Sequence, residues 1–228
     1  MTESLLSPAF LFRFAVPCQH LGSPCDSAPA TLDPRYRLLS FGAFEQQRQF
    51  ADLRVGWHES GLVFDLHVTG KKQSLWCRQN RMEESDGIRL WIDTRDAHSV
   101  HRATRFCHCF ICLPAGAEGR LNQPVCSMLP INRARENPRP VEPRELQLRS
   151  QTRRDGYHLQ VSVPAAALTG YDPAEQPRLG FFYAVVDREL GTQTFSVGEE
   201  FPYPEDPSVW GTLELSQSGT KRTPRKST

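Results

Sequence analysis

Period-two alternation of apolar and polar residues, repeated in segment after segment, constrains this chain more than any other feature. Leu62, Phe64, Leu66 and Val68 fall on one face of an extended segment, with Asp65 and His67 opposite. Ile88, Leu90 and Ile92 share a face against Arg89, Trp91 and Asp93, and Leu159, Val161 and Val163 share one against His158, Gln160 and Ser162. Such segments read as half-buried strands of antiparallel sheets. The denser run from Phe181 to Val186 reads as a strand covered on both faces. Phe10 to Val16 reads as a first strand, with others at Phe106 to Leu113, Leu146 to Arg149, Thr194 to Val197 and Thr212 to Leu215. Turn residues at Ser60-Gly61, Ala115-Gly116, Asp155-Gly156 and Asp206-Pro207 punctuate them. Helical spacing is scarce, and only Pro164 to Leu168 suits a short helix with proline at its start. The prolines of Asn132 to Pro143 and Phe201 to Pro207 mark two long loops. The expectation is an all-β, jelly-roll-like antiparallel sandwich over residues 1–216, as a single domain.

Length and charge narrow the function. A chain of 228 residues buries a real core, and no apolar run is long enough to span a bilayer. Residues 217–228 hold Lys221, Arg222, Arg225 and Lys226 and no acid, and read as a disordered basic tail. Without them 23 basic side chains face 26 acidic ones, a body of about −3 that is no electrostatic partner for nucleic acid. The first seventeen residues carry Glu3, lack a basic leader and break their apolar run at Arg13, which makes a poor secretory signal. Together with an odd set of seven cysteines, this predicts reduced thiols in a cytoplasmic protein. No spacing among them fixes a pairing.

The order of motifs resembles family 9 carbohydrate-binding modules and related DOMON-type sandwiches. Arg54-Val55-Gly56-Trp57 followed by Leu62-Val63-Phe64 is similar to the family's opening, and Ser85-Asp86-Gly87 through Ile92-Asp93 to its aspartate-led strand. Gly156-Tyr157 through Pro164 and Leu168, Leu179-Gly180-Phe181 with Asp187, and Asp206-Pro207-Ser208 through Leu213 complete the series. The likeness covers about residues 51–215, with residues 8–50 as an N-terminal strand extension. It implies a sandwich that clamps a sugar between two tryptophans and, in several members, holds structural calcium. Here Glu83 stands where the first clamp tryptophan is expected and Pro204 where the second is. Trp76 and Tyr203 are substitutes from the same loops.

A sugar-binding surface needs aromatic planes for C–H faces and charged or amide groups for hydroxyls. The residues that meet this need are Trp76, Asp86, Arg89, Trp91, Asp93, Arg95, His98, His101 and Tyr203, with core packing as the competing role for both tryptophans. Trp57 and Trp210 sit at positions that the resemblance marks as structural. A metal site through His98, His101, Cys107, Cys109 and Cys112 is opposed by strand geometry, which turns Cys107 and Cys109 away from Cys112. Calcium through Asp86, Asp93 or Asp96 requires oxygens that converge. A haem has only Met82 and Met128 as internal methionine ligands, and neither has an evident partner.

No nucleophile elbow, metalloprotease motif, phosphate loop or dinucleotide fingerprint is present, and Glu83, Glu84 and Asp86 lie too close in sequence to read as a glycosidase pair. The sequence therefore points to a non-catalytic module for a carbohydrate or other polar ligand, without a required cofactor. The alternative is a structural or protein-interaction sandwich that has lost the sugar site. Nothing in the sequence fixes an oligomeric state.

Overall fold

In the computed structural model, residues 13–41, 48–118, 120 and 122–216 are described here. Eleven strands run in chain order: β1 Ala15–His20, β2 Ala51–His58, β3 Gly61–Thr69, β4 Gly87–Asp93, β5 Cys107–Leu113, β6 Val125–Leu129, β7 Gln147–Arg153, β8 Gly156–Pro164, β9 Arg178–Asp187, β10 Gly191–Thr194 and β11 Gly211–Ser216. The only helices among these residues are short 3-10 turns, one of them Ala165–Ala167. They hydrogen-bond in the order β6-β5-β4-β9-β11-β1-β2-β3-β8-β7, with β10 on the free part of β9. The ladder folds over so that its two halves face each other. Phe64 of β3 lies against Phe181 of β9 with ring centroids 5.9 Å apart.

The alternation seen in the sequence explains the core. Leu62, Phe64 and Leu66 of β3, Leu90 and Ile92 of β4, and Leu159 and Val161 of β8 are all buried in one hydrophobic cluster between the halves. Each such side chain contributes about 1.5–3 kcal/mol on leaving water. The 178–187 strand is buried on both faces along nearly its whole length, as its unbroken apolar run predicts.

The outer faces are not bare. Residues 21–38 cross the outside of β2, β3 and β8, and Leu21, Cys25, Leu32 and Tyr36 pack on Val63 in a second cluster. Gly56 permits this close approach, since a Cβ there would lie 2.5 Å from the Leu21 side chain. On the other half, the segment 199–205 folds back over β4 and β9, and it is this closure that shapes the site.

Four sequence expectations shift. The ladder is antiparallel except at β1, which pairs parallel with both β11 and β2. Periodicity does not encode strand direction, so this was invisible. The Phe10 to Val16 strand lies partly outside the described residues and the 217–228 tail wholly outside them, and β1 begins at Ala15. The strand expected at Thr194 to Val197 shares only Thr194 with the observed β10, a polar stretch whose buried Gln193 bonds the Phe50 and Ala51 backbone. The cysteines are not all reduced. Cys112 and Cys126 oppose each other across β5 and β6 and form a disulfide, while Cys18, Cys25, Cys77, Cys107 and Cys109 remain free and buried.

Candidate functional site

The outward face of β4 carries Arg89, Trp91 and Asp93. Register places Arg89 between Ile111 and Ala184, and Trp91 between Cys109 and Phe182. The loop after Glu199 is stiffened by Pro202, Pro204 and Pro207 and lays Tyr203 over this face. The Tyr203 ring stacks on Phe182 at 4.4 Å and meets Trp91 edge-on at 5.4 Å. The Trp210 indole donates to the Tyr203 carbonyl at 2.8 Å and holds the loop down.

Beside this aromatic packing runs an open groove of about 480 Å³. Its floor is Arg89, Trp91, Cys109 and Ile111. Glu83 and the chain from Leu129 to Asn132 form one wall, and Glu199 with Tyr203 to Glu205 the other. Asn132 and Glu205 join the walls by a hydrogen bond of 2.6 Å.

Arg89 is the chemical centre of the groove. It is 9% exposed, and its Nη2 donates to the Glu83 carbonyl. Its Nη1 is buried with no hydrogen-bond partner among the described residues. A guanidinium stays charged, and an unmet N–H in a buried position costs about 1–3 kcal/mol. Burial draws the Arg89 pKa below its ordinary value, against the pull of Tyr203, Cys109 and Glu83. Arg89 lines the groove floor, but this nitrogen itself has almost no accessible surface, so a ligand oxygen reaches it only if the side chains over it move.

The remaining sequence candidates lie elsewhere. Trp76 is half-buried outside the groove, with the Arg188 and Arg81 guanidinia 5.1 and 5.4 Å from its ring. Asp86 is fully buried, with Lys71 Nζ at 3.1 Å and the Trp76 and Arg188 amides as donors. Asp93 accepts from the Arg95 and Ala97 amides, and burial holds its carboxyl above the usual range despite them. Arg95 lies over the Phe106 ring. His98 bonds Thr212 and pairs with Asp96, while the Thr212 hydroxyl donates to Asp96 at 2.7 Å; burial alone would raise the Asp96 carboxyl, but the bonds from His98, Thr212 and Arg178 hold it low. These last groups fasten the far end of β4.

The three carboxylates considered for calcium therefore point to three different sets of donors. The His and Cys set also fails to assemble. Burial pushes the Cys107 and Cys109 thiols up to about 12 and His108 down to about 4, so all three are neutral, and Cys112 is in the disulfide. His101 meets Asp206 and Ser208, both at 3.1 Å and both through Nδ1. A serine–histidine–aspartate relay uses the two opposite ring nitrogens, so no such relay is formed.

No family model and no curated protein matches the sequence. Solved structures match the fold. A family 9 carbohydrate-binding module from Caldicellulosiruptor kristjanssonii, in complex with cellotriose, superposes with a TM-score of 0.56 at 11% identity, covering 92% of this chain and 97% of its own. The family 9 module of the same organism with glucose gives 0.58 at 12% identity over 92% and 100%. A Bacteroides uniformis protein inferred to bind carbohydrate gives 0.59 at 12% over 90% and 100%. The chain has the fold of family 9 carbohydrate-binding modules.

Against the family 9 fold, the sequence motifs acquire a location. Glu83 and Pro204, the residues at the expected clamp positions, both line the groove floored by Arg89. Of the nine site candidates, Arg89, Trp91 and Tyr203 also line it, while Trp76 and the other five do not. Trp91 and Tyr203 are 4% and 7% exposed, so each offers a rim and not an open face. Glu199, Glu205 and Asn132 went unrecognised as site residues. Their signal was only the proline-rich character of their loops, since nothing in the sequence says that these loops meet.

Proposed function

We propose that this chain is a non-catalytic module that takes a polyhydroxylated, carbohydrate-type ligand in the groove over β4 and β5. The observation that carries this reading is the Arg89 guanidinium in the floor of the groove, whose Nη1 has no hydrogen-bond partner among the described residues. Around it stand Glu83, Glu199 and Glu205 as acceptors for hydroxyl protons, with the edges of Trp91 and Tyr203 as the apolar contact. The supporting comparison is that proteins of this fold were solved with cellotriose and with glucose. With Glu83 and Pro204 in place of an aromatic clamp, hydrogen bonding dominates recognition and stacking is secondary.

Binding of the full chain to a glycan array, followed by calorimetry on each retained sugar, tests the assignment. Arg89→Met should abolish binding while leaving the far-ultraviolet spectrum and cooperative melting intact. Because Met removes the orphaned donor, stability should change by less than about 1 kcal/mol or rise slightly. Retained binding in Arg89→Met would refute the groove assignment. Failure of the folded wild type to retain any sugar would leave a protein-interaction role, which the loss of both clamp aromatics favours.

A further inference from the structure

On the opposite half of the sandwich, well away from the groove, two strands bring together a second cluster of chemistry-bearing side chains. Asp65 and His67 project from the outer face of β3, and His158 of β8 is the direct cross-strand partner of His67. The two imidazoles stack at 4.3 Å with planes 11° apart. Both aim Nε2 at one carboxylate: His67 at Asp65 Oδ2, 3.1 Å away, and His158 at Asp65 Oδ1. One donor atom from each of the three residues lies within 4.8 Å of the others.

We infer that Asp65, His67 and His158 form a binding site for a divalent transition-metal ion of the zinc type. Two imidazole nitrogens and a carboxylate are a donor set that suits such ions and suits calcium poorly. Four-coordinate zinc, with bonds of about 2.0–2.1 Å, sets its ligands about 3.3 Å apart, close to the 3.1 Å that separates His67 Nε2 from Asp65 Oδ2. The carboxylate already gathers donors: it accepts from the Leu32 amide at 2.8 Å and faces both imidazoles. Among the described residues both rings are engaged through Nε2 alone, so each neutral ring can shift its proton to Nδ1 and offer Nε2 to the ion. A path exists, because His67 also lines a surface depression with Asp52, Arg54 and Thr69.

A rival cluster, His20, His58 and Glu59, sharpens the choice. There the Ser60 amide donates to His58 Nδ1 at 3.0 Å, which leaves the proton of a neutral ring on Nε2, the nitrogen facing Glu59. That tautomer cannot bind a metal through Nε2, and the Glu59 side chain is 60% exposed. Asp65, in contrast, is fully buried and also accepts from the Leu32 amide at 2.8 Å, so an ion there would brace residues 21–38 against the sheet.

The test uses the full chain, stripped with a chelator and titrated with cobalt(II) and then zinc. The expected result is one equivalent bound, a cobalt spectrum without thiolate charge transfer, and a melting temperature raised by zinc. His67→Gln, at the rim of the site, should weaken binding by at least about 10-fold, a ligand being worth no less than its outer-shell supports. His158→Gln should do the same, and a His20→Gln control should bind as wild type. If His158→Gln fails to fold, His67→Gln still decides. No stoichiometric binding by the folded wild type, a thiolate band, or undiminished affinity in His67→Gln would each overturn the inference. Sugar binding in the groove is read separately, so either reading can fail alone.

Discussion

Replacing Lys71 by methionine should be one of the most damaging single changes outside the apolar core. The Lys71 ammonium is buried, with Asp187 oxygens at 2.6 and 2.8 Å and Asp86 at 3.1 Å. The two carboxylates are themselves anchored, Asp86 by the Trp76 and Arg188 amides and Asp187 by the Glu189 and Leu190 amides. Removing the cation therefore leaves two fixed, dehydrated negative charges with no counter-ion. Breaking a buried pair in this way costs about 3–5 kcal/mol. For a chain of this size, with about 2–4 °C per kcal/mol, melting should fall by about 6–20 °C. Equilibrium denaturation in urea measures the loss directly. Adding Asp86→Asn and Asp187→Asn to Lys71→Met should recover much of it, because the penalty is uncompensated charge and not lost volume. A loss below about 1 kcal/mol in the single variant, or no recovery in the triple, would refute this reasoning. The pH dependence has a definite sign. Burial would lower the Lys71 pKa, yet its two carboxylate partners raise it above the ordinary lysine value. The stability it supplies is thus complete below the unfolded pKa, about 10.4, and fades as pH climbs through the folded value.

Other expectations follow from the same physics. Asp65 has the opposite sign to Lys71: its depressed carboxyl stabilises above the unfolded value of about 3.9 and loses that contribution as the solution is acidified. Asp65→Asn should therefore flatten the acid limb of a stability-against-pH curve measured by chemical denaturation, and an unchanged limb would contradict it. Trp76→Ala removes a ring faced by two guanidinia and should lower stability by about 1–2 kcal/mol in thermal melts. It should leave sugar affinity in calorimetry within about twofold, since Trp76 lies outside the groove.

The strands most legible in the sequence were those with one face on the core and a polar face outside it. In β3, β4 and β8 the apolar residues at every second position all prove buried in the core, but most of their polar alternates are buried as well, under the segments that cover the outer faces, so alternation reported which face meets the core and not how much is covered. β10 escaped because its buried members are Gln193 and Thr194, polar groups that satisfy backbone partners, and alternation of hydrophobicity cannot report them. The same limit divided the site. Arg89 and Trp91 were readable as the face turned away from Leu90, and Tyr203 as an aromatic on a proline-stiffened loop. Asn132 and Glu205 were not, because their meeting depends on where two loops close. Register was the deepest blind spot. Cys112 opposite Cys126 and His67 opposite His158 are neighbours only once strands are aligned, and nothing local fixes that alignment.

The parallel insertion of β1 bears on how the molecule is made. Its partners on one side are the last strand of the described chain, Ala15 against Thr212 and Cys18 against Leu215. Until β11 has left the ribosome, the first strand can rest only on the short two-residue pairing with β2, so the ladder stays open at its middle. Closing a loop of about 200 residues is slow and entropically costly. β11 must emerge before the sheet is continuous, and a nascent chain would expose the edges of β2 and β9 to other strands until then.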